Sequence, residues 1–302
     1  MIADNEAKEM HRCASCGIAE GDDIKLMKCT ACYLVKYCGV KCQKNHWPKH
    51  KKECKKRAAE LRDEILFKQP ESNHFGDCPI CCLQLPLDKQ KSILYPCCCK
   101  RICDGCNIAN QKREKEGRLQ RKCPFCREAV STEEENNRRL MKRIEANDPV
   151  AMRHMGTERF HERDCTAAFE YWSRAAALGD VEAHFELSCL YHDGKGVEKD
   201  EKRELHHAEQ AAIGGHPDAR HNLGLKEWRR NGQYNRAVRH WIIAAKLGHD
   251  NSLENVKVAH KAGYASKEDY AAALHGYKTA VDETKSPQRE EAAELYKKYY
   301  GE

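Results

Sequence analysis

Small metal-clamped α+β modules followed by an all-α helical-repeat solenoid are what this 302-residue sequence predicts, on three observations. Seventeen of its 19 cysteines fall between Cys13 and Cys126. Most of these stand in pairs three or four positions apart, a spacing that aims two sulfurs at one ion. From Asp148 onward cysteine nearly vanishes and a period takes over, marked by Gly179, Gly215 and Gly248 at intervals of 36 and 33 residues.

The first element spans residues 13–54 and reads Cys13-x-x-Cys16, Cys29-x-x-Cys32, Cys38-x-x-x-Cys42, His50-x-x-x-Cys54. Zinc takes four tetrahedral thiolate or imidazole ligands, and a structural site leaves no position open, so eight ligands imply two closed sites. A Cys-x-x-Cys pair suits a tight knuckle, whereas ligands four apart share one face of a helix. The segment therefore reads as knuckles first and helix last. His46 lies on the same stripe and is read as a free surface histidine, because the eight places are filled.

The run Tyr37-Cys38-x-x-x-Cys42-Gln43-x-x-x-Trp47-x-x-His50-x-x-x-Cys54, after two Cys-x-x-Cys pairs, resembles a MYND-type zinc finger. The resemblance implies interleaved pairs, with Cys13, Cys16, Cys38 and Cys42 on one zinc and Cys29, Cys32, His50 and Cys54 on the other. It also implies a groove for short proline-containing peptides, lined by Gln43 and Trp47. A tryptophan face suits proline.

Residues 55–77 read as a helix and linker. Ala58, Leu61, Ile65 and Leu66 recur at helical spacing and extend the ligand-bearing helix. Pro70, Asn73 and Gly76 mark the linker.

A second metal segment occupies residues 78–127. Cys78-Pro79-Ile80-Cys81 and Cys123-Pro124-Phe125-Cys126 bracket Cys97-Cys98-Cys99 and Cys103-x-x-Cys106. Three pairs give six ligands, and two more come from the triple run. Alternation along an extended backbone favours Cys97 and Cys99 with Cys98 spare, although a turn relaxes that rule. Cys82 reads as a spare thiol. The segment resembles a RING finger of the all-cysteine kind, which implies a surface for a ubiquitin-conjugating enzyme. The matching positions are Ile80 between the first ligands, Pro124 in the last knuckle and Arg127 after the final cysteine. Two departures stand out: cysteine replaces the usual histidine at the fourth ligand, and Ile108 or Leu119 must stand in for a missing tryptophan.

Residues 128–147 read as a connecting helix, acidic at Glu133, Glu134 and Glu135, basic at Lys142 and Arg143, with Ser131 or Thr132 as its cap. Residues 148–281 carry the period. Ala175-Ala176, Ala211-Ala212 and Ala244-Ala245 precede the three glycines, and each following helix opens on Ala183, Ala219 or Ser252. Two-helix units of this kind bury their apolar faces only by stacking. The Tyr191-to-Val197 loop and the Ala-Ala-x-Leu-Gly endings resemble Sel-one-like repeats, a branch of the tetratricopeptide architecture. Residues 282–302 read as a capping helix over the open end of the stack. Trp172, Trp228 and Trp241 are read as packing residues, Cys165 and Cys189 as fillers, and His206, His207, His216 and His240 as surface or packing residues.

Composition bounds the function. The chain is 33% charged, its mean hydropathy is −0.85, and no apolar run approaches the roughly 20 residues of a membrane helix. Met1 to Arg12 has neither the basic start nor the apolar core of a secretion signal. Five Cys-x-x-Cys pairs in such a chain favour zinc over disulfides or a redox motif, and a cytoplasmic or nuclear setting. The net charge of +6 concentrates in Lys49–Arg57 and Lys112–Lys122. These runs are read as counter-charge to zinc-thiolate centres; without interleaved aromatics they do not argue for nucleic acid. The expectation is four zinc ions, no membrane, and protein partners for the repeats and first finger. Two functional readings stand: an adaptor that recruits a ubiquitin-conjugating enzyme, and a non-enzymatic scaffold with purely structural zinc.

Overall fold

The computed structural model of the protein describes residues 12–130 and 132–300. Two compact units divide after Lys68. In the first, β1 (Met27–Lys28) pairs antiparallel with β2 (Lys36–Tyr37), Met27 opposite Tyr37. A single 27-residue helix follows, α1 (Val40–Leu66), so the ligand-bearing and amphipathic stretches are one element. The small core gathers Cys13, Cys29, Cys32 and Cys54 around Leu26 and Tyr37. Few of those side chains are hydrocarbon.

In the second unit a short 3₁₀ turn (Lys89–Lys91) leads into β3 (Ser92–Tyr95), which pairs antiparallel with β4 (Lys100–Cys103) in the register Ser92 opposite Cys103. Helix α2 (Asp104–Glu116) follows directly. Ile102 and Leu85 fill the centre of this module beside Cys78, Cys103 and Cys106. The connector is α3 (Glu133–Glu145), with Thr132 accepting a hydrogen bond from the Glu135 amide at its start; Ser131 lies outside the described residues.

Eight helices build the solenoid: α4 (Pro149–His161), α5 (Cys165–Ala177), α6 (Val181–Asp193), α7 (Glu201–Ile213), α8 (Pro217–Asn231), α9 (Tyr234–Ala245), α10 (Asp250–Lys261) and α11 (Lys267–Glu283). Their period is set by one repeated joint. Gly179, Gly215 and Gly248 have φ of 86°, 85° and 91°, a left-handed conformation that glycine alone adopts without penalty. The next amide then reaches back, Asp180 to the Ala175 carbonyl, His216 to Ala211 and His249 to Ala244, at 3.0–3.1 Å. The same three residues cap the following helix through their side chains, on the amides of Ala183, Ala219 and Ser252. One residue thus closes a helix with its backbone and opens the next with its side chain.

Tryptophans lock the pairs. A Cβ at Gly156 would lie 2.6 Å from the Trp172 ring, and one at Gly224 would collide with Trp241. The indole N–H groups donate to the carbonyls of Arg153 (3.2 Å) and His221 (3.3 Å) on the facing helices.

Two parts of the second unit depart from expectation. Residues 69–77 are no free linker, because the His74 amide donates to the Gly215 carbonyl (3.1 Å) and buried Asn73 donates to Leu85 (2.9 Å). The last helix, α12 (Pro287–Tyr300), does not cap the stack as expected but packs along α2. Gly105 admits its backbone, since a Cβ there would sit 2.9 Å from the Arg289 nitrogen. None of the helices described is long and apolar enough to cross a membrane.

Two outcomes follow for stability. Alanine in place of a mid-helix glycine normally gains about 0.5–1 kcal/mol. Gly156→Ala and Gly224→Ala are expected instead to cost about 1–3 kcal/mol through overpacking, measured by urea denaturation. Burial lowers His207 and His221 to about 4 and also holds His240 well below the ordinary histidine value. Unfolded histidine titrates near 6.5, so between about pH 6.5 and about pH 4 the unfolded chain binds more protons. Solenoid stability is therefore fully present above that window and falls through it on acidification. Tryptophan fluorescence should report a shallower fall for His207→Phe.

Candidate metal centres

Four of the Cys-x-x-Cys turns share one backbone plan. The first cysteine's amide donates across the turn, Cys13 to Ile18, Cys29 to Val35, Cys78 to Leu83 and Cys123 to Glu128, at 2.7–2.9 Å. Its carbonyl accepts from the residue after the second cysteine, namely Gly17, Tyr33, Cys82 and Arg127, at 2.9–3.0 Å. Those four residues all have positive φ, 76°, 58°, 56° and 64°. Only one is glycine, so the other three knuckles hold a conformation costing roughly 1–2 kcal/mol. Cys82 is such a corner, with an exposed thiol. The remaining pair differs, Cys103 ending β4 and Cys106 lying in α2.

The turns bring sixteen side chains into four interleaved groups: Cys13, Cys16, Cys38 and Cys42; Cys29, Cys32, His50 and Cys54; Cys78, Cys81, Cys103 and Cys106; Cys97, Cys98, Cys123 and Cys126. Within each group the ligand atoms lie within 4.8 Å of one another. Neighbouring sulfurs are 3.6 Å apart for Cys16 and Cys38, 3.7 Å for Cys29 and Cys54, 3.8 Å for Cys81 and Cys103, and 3.4 Å for Cys126 and Cys97. Cys32 Sγ is 3.2 Å from His50 Nε2. A tetrahedron with zinc–sulfur bonds of about 2.3 Å has edges of about 3.8 Å, whereas a disulfide needs about 2.0 Å. The donor sets and edges fit zinc, which when bound would supply a closed structural clamp.

The fourth group corrects the alternation argument, for Cys98 joins Cys97 and Cys99 does not. Residues 96–99 form a tight turn in which the amides of Cys98 and Cys99 both donate to the Tyr95 carbonyl. Cys99 is itself left-handed at φ 51°, which swings its side chain away. It packs with Leu140, Ile144 and Met152 in the core under the first repeat. The MYND-like segment carries a smaller departure, since Cys38 precedes α1 instead of lying on it.

Backbone amides prepare several sulfurs for metal. Burial pushes the Cys13 and Cys29 thiols up, but amides of Cys16, Cys38 and Ser15, and of Ala31 and Cys32, outweigh it and bring both to about 6. Cys78 is drawn to about 4, chiefly by a hydrogen bond from Cys103 and then, against burial, by amides of Cys103, Cys81 and Ile80. Thiolate is the ligating form. His46 stacks on His50 and pairs with the Tyr37 hydroxyl at 3.0 Å, standing behind the ligand as its support. Tyr37 is buried, which with the neighbouring cysteines raises its hydroxyl to about 12.

Surface positions sort differently. Ile80 (41% exposed) and Arg127 are exposed and Pro124 is half-buried, while Leu119 is exposed and Ile108 half-buried. Gln43 is half-buried and Trp47 exposed, four residues apart on α1.

A fifth group, His74, Glu182 and His216, has no signature in sequence spacing. Glu182 Oε2 lies 2.6 Å from His74 Nε2 and 3.4 Å from His216 Nε2, with Lys89 on its other oxygen. His216 Nδ1 accepts the Ala219 amide, so its Nε2 carries the proton and faces the carboxylate. The arrangement sets two imidazoles and Lys89 around a buried carboxylate, bringing residues 69–77 against the solenoid.

Comparison with known proteins finds two family models that match parts of the chain. The MYND finger model matches residues 7–54, and the Sel1 repeat model matches 150–180, 181–216 and 217–249. The chain is a zinc-binding amino-terminal module with small sheets followed by a helical Sel1-repeat solenoid. Histone-lysine N-methyltransferase SMYD3 of Homo sapiens is 61% identical over 31 residues, 10% of this chain and 7% of that protein. SET domain and MYND-type zinc finger protein 6 of Schizosaccharomyces pombe is 38% identical over 52 residues, 17% of this chain and 11% of that protein. The alignments thus span only a small part of these curated relatives. Among solved structures, a Sel1 repeat protein from Oxalobacter formigenes aligns at 23% identity and TM-score 0.43, covering 65% of this chain and 79% of that one. The protective antigen c5321 of uropathogenic Escherichia coli aligns at 21% and 0.40, over 66% of this chain and 41% of that one.

The two neighbouring thiols separate cleanly by experiment. Cys98→Ser is expected to lower bound zinc, and Cys99→Ser to leave zinc unchanged while loosening the core, read by native mass spectrometry and thermal melts.

Proposed function

We propose that this chain is a zinc-dependent protein-interaction adaptor of the cytoplasm or nucleus that holds four zinc ions, two per finger, and presents a ubiquitin-conjugating enzyme to partners bound elsewhere on the chain. The observation that carries the reading is the interleaved pair of cysteine groups in residues 78–127 with Ile80 and Arg127 exposed beside them. This arrangement supports the reading.

The chain's own residues would bind and orient. Arg127 stems from the left-handed corner of the last knuckle, next to ligand Cys126, so its backbone is held by the turn. A guanidinium fork on such a base can bridge carbonyl groups of two proteins and restrict a flexible tail to a reactive pose. Ile80 would supply apolar contact, with Pro124 and Leu119 adding to it. The bond-making chemistry belongs to the conjugating enzyme. Partner selection falls to the solenoid and to Gln43 and Trp47, on which a proline-containing peptide is proposed to lie.

The second reading, a non-enzymatic scaffold, is supported by the packing of α12 along α2, which occupies one side of the RING-like helix. A discharge assay decides between them. Ubiquitin release from a loaded conjugating enzyme should rise on adding the protein and drop about tenfold, or 1.4 kcal/mol, in Ile80→Ala and in Arg127→Ala with zinc content intact. No stimulation across a panel of conjugating enzymes leaves the scaffold.

A further inference from the structure

Arg289, on the last helix and 208 residues from Cys81, makes several polar contacts with the second metal module. Its Nη2 donates to Cys81 Sγ (3.5 Å) and to the Leu83 carbonyl (3.1 Å). Its Nη1 donates to the carbonyls of Gln84 (2.7 Å) and Thr284 (2.8 Å). Cys81 belongs to the group with Cys78, Cys103 and Cys106. The guanidinium is half-buried, and α12 is brought this close because Gly105, between Cys103 and Cys106, has no side chain.

We propose that Arg289 is a positioning residue of this zinc centre, so that docking of the carboxy-terminal helix and retention of the metal stabilise one another. The inference rests on zinc occupying the centre, as in the function proposed above, but not on any transfer of ubiquitin.

Four thiolates around a divalent ion leave two net negative charges, and a half-buried centre has little water to screen them. A fixed guanidinium offsets part of that charge and donates a charge-assisted hydrogen bond to one sulfur. Its bonds to the Leu83 and Gln84 carbonyls hold the segment leaving the Cys78–Cys81 knuckle, and with it the orientation of Cys78 and Cys81. Groups that orient ligands in this way commonly change metal affinity by about tenfold to a hundredfold. Linkage makes the effect reciprocal: the ion must hold α12 in place as strongly as α12 holds the ion. Lys112 and Glu291 form a surface pair across the same helices, 3.2 Å apart and both more than half exposed, which contributes little by comparison.

Zinc release from the full chain into a chromophoric chelator tests this. In Arg289→Gln, one of the bound equivalents is expected to leave about tenfold faster or more. Arg289→Lys, keeping the charge without the fork, should fall between variant and wild type, and Lys112→Ala should match wild type. In the reciprocal arm, chelated wild-type protein should be cut by protease near Thr284–Gln288 faster than the zinc-loaded form. Unchanged release in Arg289→Gln would overturn the proposal, as would equal acceleration in Lys112→Ala. A preparation that holds no zinc fails before this comparison begins, which separates the two ideas.

Discussion

Sulfur crowding is the constraint on which the metal-bearing regions depend. Groups of four ligands stand at tetrahedral edge distances beside small apolar clusters, Leu26 and Tyr37 with Val35, and Leu85 and Ile102 with Phe75 and Tyr95. Such small cores rarely sustain a fold by burial alone. Deprotonated sulfurs at 3.4–3.8 Å repel one another unless a cation lies between them. Three of the four knuckles hold non-glycine residues in left-handed backbone, a cost that the Gly17 knuckle escapes. The clamp offsets both penalties, and it is therefore an element of the fold itself.

The solenoid meets a different requirement with backbone chemistry. Its helices are short and rich in alanine, and each must be ended and restarted within a few residues. A glycine in left-handed conformation followed by a capping side chain does this three times, with Asp180, His216 and His249 in the same role. Histidine at two of these positions is unusual, and it draws imidazoles into the joint between repeats. At His216 the ring does double duty, capping α8 with one nitrogen and meeting Glu182 with the other.

Within the second unit the metal module and the repeats are built into each other. Cys99, left out of the sulfur group, becomes part of the core beneath α4 and α5. His74 carries the preceding segment to Glu182 on α6. At the far end of the chain Arg289 returns to Cys81. The repeats are consequently held in fixed relation to the second metal module.

By itself the sequence determined the ligand types, the division at Asp148 between cysteine-rich and repeat halves, and the position of each repeat joint. All of these are local: a knuckle needs its two cysteines three apart, and a helix stop needs its glycine in place. Alternation failed at Cys97 to Cys99 because it assumes an extended strand, and a left-handed residue in a turn reverses the side-chain direction. Only the tertiary structure decided that α12 lies on α2 and that His74, Glu182 and His216 meet. These contacts join residues far apart in the chain, so no spacing rule records them; they arise because Gly105 lets one backbone approach another and because a buried carboxylate must gather donors wherever the fold supplies them.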